Sequence, residues 1–236
     1  MKKFIIDADT GSDDAVAILL ALQDPTVEVL GISVVSGNVP LKQGIMNTIS
    51  TIDMTDKKVK VYAGEEKPIS RNYEEVHDLA NFLGHVKSLS PSSVSGQCVH
   101  GVDGMGDIGV KPSTQEFEEK KAIDFIVETI NEQPNEITLV TLGPLTNIAL
   151  AIQKDKSIIN KVKHCYVMGG TSDGTGNVSA AAEYNIWVDP EAAKICFESG
   201  MDITMVGWDN SYKYAMLKEK EIKELRALNS KLANFS

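Results

Sequence analysis

The sequence has no apolar run long enough to cross a bilayer. Its start, Met1-Lys2-Lys3-Phe4-Ile5-Ile6-Asp7, carries two lysines but only a three-residue apolar run. A signal peptide needs a longer one, so a cytoplasmic location is expected. Cysteine is scarce: Cys98, Cys165 and Cys196 are odd in number and lack CxxC spacing, which fits a reducing compartment best. Cys165 lies in an apolar run and is expected to be a buried thiol. Basic charge is also in deficit, with 23 Lys and Arg against 33 Asp and Glu and a net charge of -10. Nothing concentrates Lys or Arg for phosphates, which argues against nucleic acid or an anionic membrane as partner. The acidic excess suits a protein that holds a cation, although solubility alone accounts for the charge as a whole. Repeats and low-complexity segments are absent.

What is present is an ordinary globular composition, 42% hydrophobic and 24% charged, over 236 residues. That length supports one α/β domain, residues 1–236, with a sizeable core. Strand-like runs are expected at Phe4 to Ala8, Val27 to Val35, Val59 to Tyr62, Ile137 to Leu142, Lys163 to Met168 and Ile203 to Gly207. Helical patterns alternate with them at Asp13 to Gln23, Leu41 to Met54, Lys120 to Asn131, Leu145 to Gln153, Pro190 to Glu198 and Lys218 to Leu232. The alternation predicts a mostly parallel sheet with helices on both faces. In such sheets ligands sit beyond the carboxyl ends of the strands. The polar residues of interest indeed follow strands: Asp7 and Asp9, Ser36-Gly37-Asn38, Leu142-Gly143 and Met168-Gly169-Gly170. The glycine-rich stretch from Glu65 to Ser113 reads as an active-site cover.

The sharpest local signal is DADTGSDD, residues 7–14, with four carboxylates in eight positions. Carboxylates crowded in a cleft resist ionisation. A divalent cation resolves the conflict, and oxygen donors favour calcium or magnesium over zinc. Thr10-Gly11-Ser12 supplies a tight turn, and Asp13 and Asp14 then fall at a helix N-terminus, where negative charge is favoured. Capping alone would account for one carboxylate, not four.

Asp7 to Ala17 resembles the N-terminal signature of the inosine-uridine-preferring nucleoside hydrolases, with Thr10 where the family usually has Pro. The likeness continues in order through Gly31 to Asn38, Val61 to Gly64 with Lys67-Pro68, His100-Gly101 with Asp103-Gly104, and Leu139 to Ala149. It runs on through Val167 to Gly170, Gly176-Asn177, Glu183 to Asn185 and Asp189 to Ala193. The resemblance implies a Rossmann-like nucleoside hydrolase fold lacking its C-terminal part. It implies Ca2+ held by Asp9, Asp14 and the backbone carbonyl of Leu142. A water activated there would be the nucleophile, with Asp9 as its general base. Asp13, Asn177, Glu183 and Asn185 would grip the ribose hydroxyls, Met168 would pack beneath the sugar, and Asn38 would lie beside it. His100 would contact the base or donate a proton to it, and its presence leans toward the pyrimidine-preferring branch. The substrate would be a small ribonucleoside and the assembly a homo-oligomer, dimer or tetramer.

Each residue also has a plainer reading. Asn177, after Gly174-Thr175-Gly176, suits a turn. Glu183 and Asn185 suit a solvated loop, Met168 a core, and His100 an ordinary surface. His77, His85 and His164 carry no motif. The family continues past the last residue here and carries a His-Asp pair on a later helix. This chain shows Trp208-Asp209-Asn210-Ser211-Tyr212, then a charged helix and no further His; Asp209 comes too early in the motif order to replace the missing aspartate. Truncation is the expected explanation, ahead of a partner subunit completing the site or a retired enzyme that only binds. It should weaken metal and ribose binding and expose apolar surface. Two rivals remain on the sequence alone. One is a nucleoside- or ribose-binding protein. The other is a haloacid-dehalogenase-like magnesium phosphatase with Asp7 as nucleophile, which lacks its later acidic pair here.

Overall fold

The computed structural model describes residues 1–72, 76, 100–109 and 116–235. Six strands form one sheet: β1 (Lys2–Ala8), β2 (Val27–Val34), β3 (Val61–Ala63), β4 (Ile137–Thr141), β5 (His164–Met168) and β6 (Ile203–Val206). Their order is β3-β2-β1-β4-β5-β6, and every pair is parallel. The chain therefore builds outward from β1 on one side, returns, and builds outward on the other. Neighbouring connections leave in opposite directions between β1 and β4, and a crevice opens there at the strands' carboxyl ends. Asp7 pairs with Ser33 of β2 on one flank and Thr141 of β4 on the other, so the acidic motif leaves the sheet at this point.

Parallel strands buried on both faces need apolar side chains in both directions, and β1 supplies them in alternation. Ile6 and Ala8 face the helices α1 (Ser12–Gln23) and α2 (Leu41–Ile52), packing with Ile32, Val34, Ile18, Leu22, Ile45 and Ile49. Ile5 faces the opposite layer, built from α3 (Ala122–Glu132), α4 (Thr146–Lys154) and, after a 3-10 turn at Lys156–Asn160, α6 (Pro190–Phe197). Cys165 and Cys196 are buried free thiols in that core, as expected for Cys165. The Tyr62 and Phe125 rings stack at 3.8 Å across it. Gly31 is needed beneath them, because a Cβ there would lie 2.5 Å from the Phe125 ring.

The expected strands and the longer helices are present within a few residues, and the fold class is as read. Two short helices were not expected, α5 (Tyr184–Val188) and α7 (Trp208–Tyr214). Neither is long enough to display a helical period. The expected helix from Lys218 to Leu232 is instead two, α8 (Glu219–Ala227) and α9 (Lys231–Phe235). Asn229 breaks it with φ of 46°, a left-handed conformation that a continuous helix cannot hold. Most of the expected cover, including His77, His85 and Cys98, lies outside the described residues. His164 opens β5, where its ring nitrogens lie 2.8 Å from Asp202 Oδ2 and 2.8 Å from Thr204 Oγ1. Among the described residues, no helix is long and apolar enough to cross a membrane.

Candidate active site

The turn after β1 is fixed first. Thr10 Oγ1 bonds Thr48 Oγ1 at 2.7 Å, and Asn47 Nδ2 donates to the Thr10 carbonyl at 3.0 Å. These contacts from α2 hold the Asp9-to-Gly11 backbone against the helix layer. Gly11 then starts α1, which turns Asp14 inward (5% exposed) and leaves Asp13 exposed at the mouth. A Cβ placed on Gly11 would lie 3.2 Å from the His100 ring, 3.3 Å from Asn38 Nδ2 and 3.3 Å from Asp13 Oδ1. Three segments distant in sequence thus converge over one glycine. His100 Nδ1 lies 2.9 Å from Ser12 Oγ and 3.7 Å from Asp13 Oδ1.

Asp9 is completely buried. Asn38 donates its backbone N–H to Asp9 Oδ2 at 2.6 Å. Two glycines give the carboxylate its room. A Cβ on Gly37 would overlap Asp9 Oδ2, and one on Gly143 would come within 2.7 Å of Oδ1. Burial raises Asp9 to about 6 despite the Asn38 bond, and burial raises Asp14 well above the usual carboxylate range, with the Asp9 charge adding to it. Asp9 Oδ1 and Asp14 Oδ2, both buried, have no hydrogen-bond partner. An orphaned buried carboxylate oxygen costs several times what a bonded one does. A hard divalent cation would satisfy both at once. Leu142 adds a carbonyl beside Gly143, and Asn185 Nδ2 donates to it at 2.7 Å. This all-oxygen set fits calcium or magnesium by its donor chemistry. It is two carboxylates and a carbonyl; among the described residues no three His, Cys, Asp or Glu side chains group as a metal centre.

A second group comes from β5 and the segment after it. Asn185 Nδ2 also reaches the Met168 carbonyl and sulfur, both at 3.2 Å, so one amide ties the ends of β4 and β5 together. Glu183 is buried rather than solvated. Its Oε2 accepts from Gly170 N at 2.9 Å and Ile186 N at 3.2 Å, and its Oε1 from Asn185 N at 3.0 Å. It therefore caps α5 and fastens the Gly169-Gly170 turn. Burial raises its pKa against these three bonds. Asn177 Oδ1 accepts from Tyr184 N at 2.8 Å. The two groups meet where Tyr184 Oη donates to the Gly37 carbonyl at 2.9 Å. All ten candidate positions thus fall in two linked clusters at one end of the sheet.

Asp7 stands apart. It is 1% exposed, and its Oδ1 accepts from Ser33 Oγ and from Asn147 Nδ2. Burial raises it to about 7. A side chain enclosed in this way cannot attack a phosphate, which removes the phosphatase reading. Asp209 accepts from Ser172 N at 2.9 Å and Ser172 Oγ at 2.6 Å, fastening the β5 loop to α7. Tyr184, Asn147 and Ser33 were not singled out from sequence. Asn147 lies inside a matched run, so the signal was present but carried no visible partner.

Residues 4–236 match the family model described as inosine-uridine preferring nucleoside hydrolase. The chain belongs to that family. Uridine nucleosidase 1 of Arabidopsis thaliana is 40% identical over 207 residues, 87% of this chain and 56% of that protein. The pyrimidine-specific ribonucleoside hydrolase RihB of Escherichia coli strain SE11 is 35% identical over 208 residues, 88% of this chain and 60% of its own length. Among solved structures, a purine-preferring ribonucleoside hydrolase from Gardnerella vaginalis superposes with a TM-score of 0.86 at 36% identity, covering 99% of this chain and 69% of the other. The chain thus spans between about half and two thirds of the length of these relatives.

Proposed function

We propose that the protein hydrolyses the N-glycosidic bond of ribonucleosides to free base and ribose, with calcium as its metal. The observation that carries this is that Asp9 Oδ1 and Asp14 Oδ2, on neighbouring carboxyls after β1, are two of the three buried carboxylate oxygens left without a partner, the third being Asp7 Oδ2. Asp9, Asp14 and the Leu142 carbonyl would hold the ion, which when bound supplies the Lewis-acid chemistry that makes water a nucleophile near neutral pH.

The chain's own residues do the rest. Asp9 is the general base: its Oδ2 is fixed by Asn38 N–H, and the carboxyl that would hold the ion would also take the proton from the water beside it. Asp13, exposed at the mouth, accepts a hydrogen bond from a ribose hydroxyl. Asn185 spends its Nδ2 on Leu142 and Met168, which turns its Oδ1 toward a second hydroxyl. Glu183 and Asn177 hold that wall in place and complete the oxygen-rich lining. Met168 supplies the apolar floor. Loss of the base leaves an oxocarbenium-like sugar, and clustered carboxylates stabilise such a cation. His100, held by Ser12 Oγ, faces the same opening over Gly11 and would contact the base.

The relatives are named variously for uridine, pyrimidines and purines, so ribonucleosides as a class are the proposed substrate. The test is release of ribose from inosine and from uridine, with calcium and with chelator. Calcium-dependent release from either supports the proposal; none from both would overturn it. Calorimetry with ribose would then show whether a binding protein remains.

A further inference from the structure

Asn147 is a polar side chain sealed in the sheet's interior, completely buried at the start of α4. A buried amide is tolerated only when its hydrogen bonds are met. Here Nδ2 donates to Asp7 Oδ1 at 2.8 Å and to the Val34 carbonyl at 3.3 Å, while Oδ1 accepts from Glu65 N at 2.9 Å. One side chain on α4 therefore ties together the carboxyl ends of β1, β2 and β3. The room for it is made by Gly64, where a Cβ would overlap both Asn147 amide atoms.

Two routes lead from this amide to the same carboxylate. On the first, Asp7 is two residues before Asp9 on β1, and its carbonyl accepts from Leu142 N at 2.7 Å. On the second, Glu65 fixed by Asn147 accepts through its own carbonyl from Ser36 N at 3.0 Å. Ser36 leads into Gly37, pressed on Asp9, and Asn38, whose N–H grips Asp9 Oδ2. We infer that Asn147 is a positioning residue for Asp9: it sets both the strand that carries this carboxylate and the loop that orients it. The inference rests on the reading of Asp9 as general base only for its kinetic consequence; the geometric claim stands without it.

The test uses Asn147→Ala, with Cys196→Ala as a control that is equally buried but outside this network. Hydrogen–deuterium exchange at the Ser36–Asn38 amides should quicken about tenfold more in Asn147→Ala than in the control at matched melting temperature. With substrate, kcat should fall about tenfold or more while KM moves much less, since a misplaced base damages the transition state rather than binding. If Asn147→Ala does not fold, Asn147→Asp keeps the volume and the acceptor for Glu65 N–H but sets a carboxylate against Asp7. The bonds to Asp7 and to the Val34 carbonyl are then lost while the Glu65 route is kept, and the β1 amides should exchange faster than in the control. Exchange at these amides equal to the control in the variant that folds overturns the inference. Wild-type protein without turnover would count against the nucleoside hydrolase reading, while the exchange data would still decide this one.

Discussion

Replacing Asp14 with Asn separates two consequences of burial at the residue scale. Without a cation, Asp14 and Asp9 are like charges sharing a dry site. With one, they are ligands. At pH 8 in chelator, Asp14→Asn should therefore melt higher than wild type, because an amide removes the buried charge. In millimolar calcium the order should reverse, because wild type gains the linkage stabilisation and the variant loses most of it. Differential scanning fluorimetry in both buffers checks this, and equal calcium shifts in the two proteins would contradict it. Asp9→Asn addresses the proposed general base. Its kcat for inosine or uridine should drop by on the order of 10² to 10⁴, the usual contribution of a general base, with a smaller change in KM. Steady-state kinetics at saturating calcium measures both.

At the scale of elements, glycines and loop anchors decide how closely the pieces approach. Gly37→Ala would drive a methyl into Asp9 Oδ2. The Ser36–Asn38 loop must then withdraw, breaking the Asn38 N–H bond to Asp9. We expect most of the turnover to be lost with the fold retained, measured by ribose release beside circular dichroism. The far end of the site depends on α7. Lys213 Nζ meets Asp173 Oδ2 at 2.6 Å, and Tyr212 Oη also donates to that carboxylate. These bonds, Lys213 first, hold the Asp173 pKa far below its ordinary 3.8. A lowered folded-state pKa contributes stability that is present above the ordinary value and lost as pH falls toward the folded one. Asp173→Asn should therefore be less stable than wild type at pH 6, and the gap should start to narrow below about pH 4 and go on narrowing as the pH falls further. Because the pair is largely exposed, the effect should be small and shrink in high salt. Urea melts across that pH range give the comparison.

For the whole molecule, the sheet is unequally covered. β6 is an edge strand with Met205 37% and Val206 39% exposed, and the segment after it leaves Tyr214 82%, Met216 66% and Leu217 55% exposed. Exposed apolar groups at a strand edge favour association. Sedimentation should show concentration-dependent self-association that weakens in a Met216→Glu, Leu217→Glu variant. An unchanged distribution would mean these side chains do not drive it.

Much of this was legible in the linear sequence because it is local. Period-two and period-3.6 patterns identified the strands and longer helices, since each reflects burial of one face. DADTGSDD announced a crowd of carboxylates after β1, and Asp9 and Asp14 are buried there, since residues this close in sequence stay close in space. What only the tertiary structure decided are partners far apart in the chain: Asn38 on Asp9, Tyr184 on Gly37, Asn147 on Asp7. Glu183, readable as a solvated loop residue, proved to be a buried cap for the same reason. A side chain's composition limits which bonds it can make, but which atoms complete them depends on the strand order and the packing of helices on the sheet.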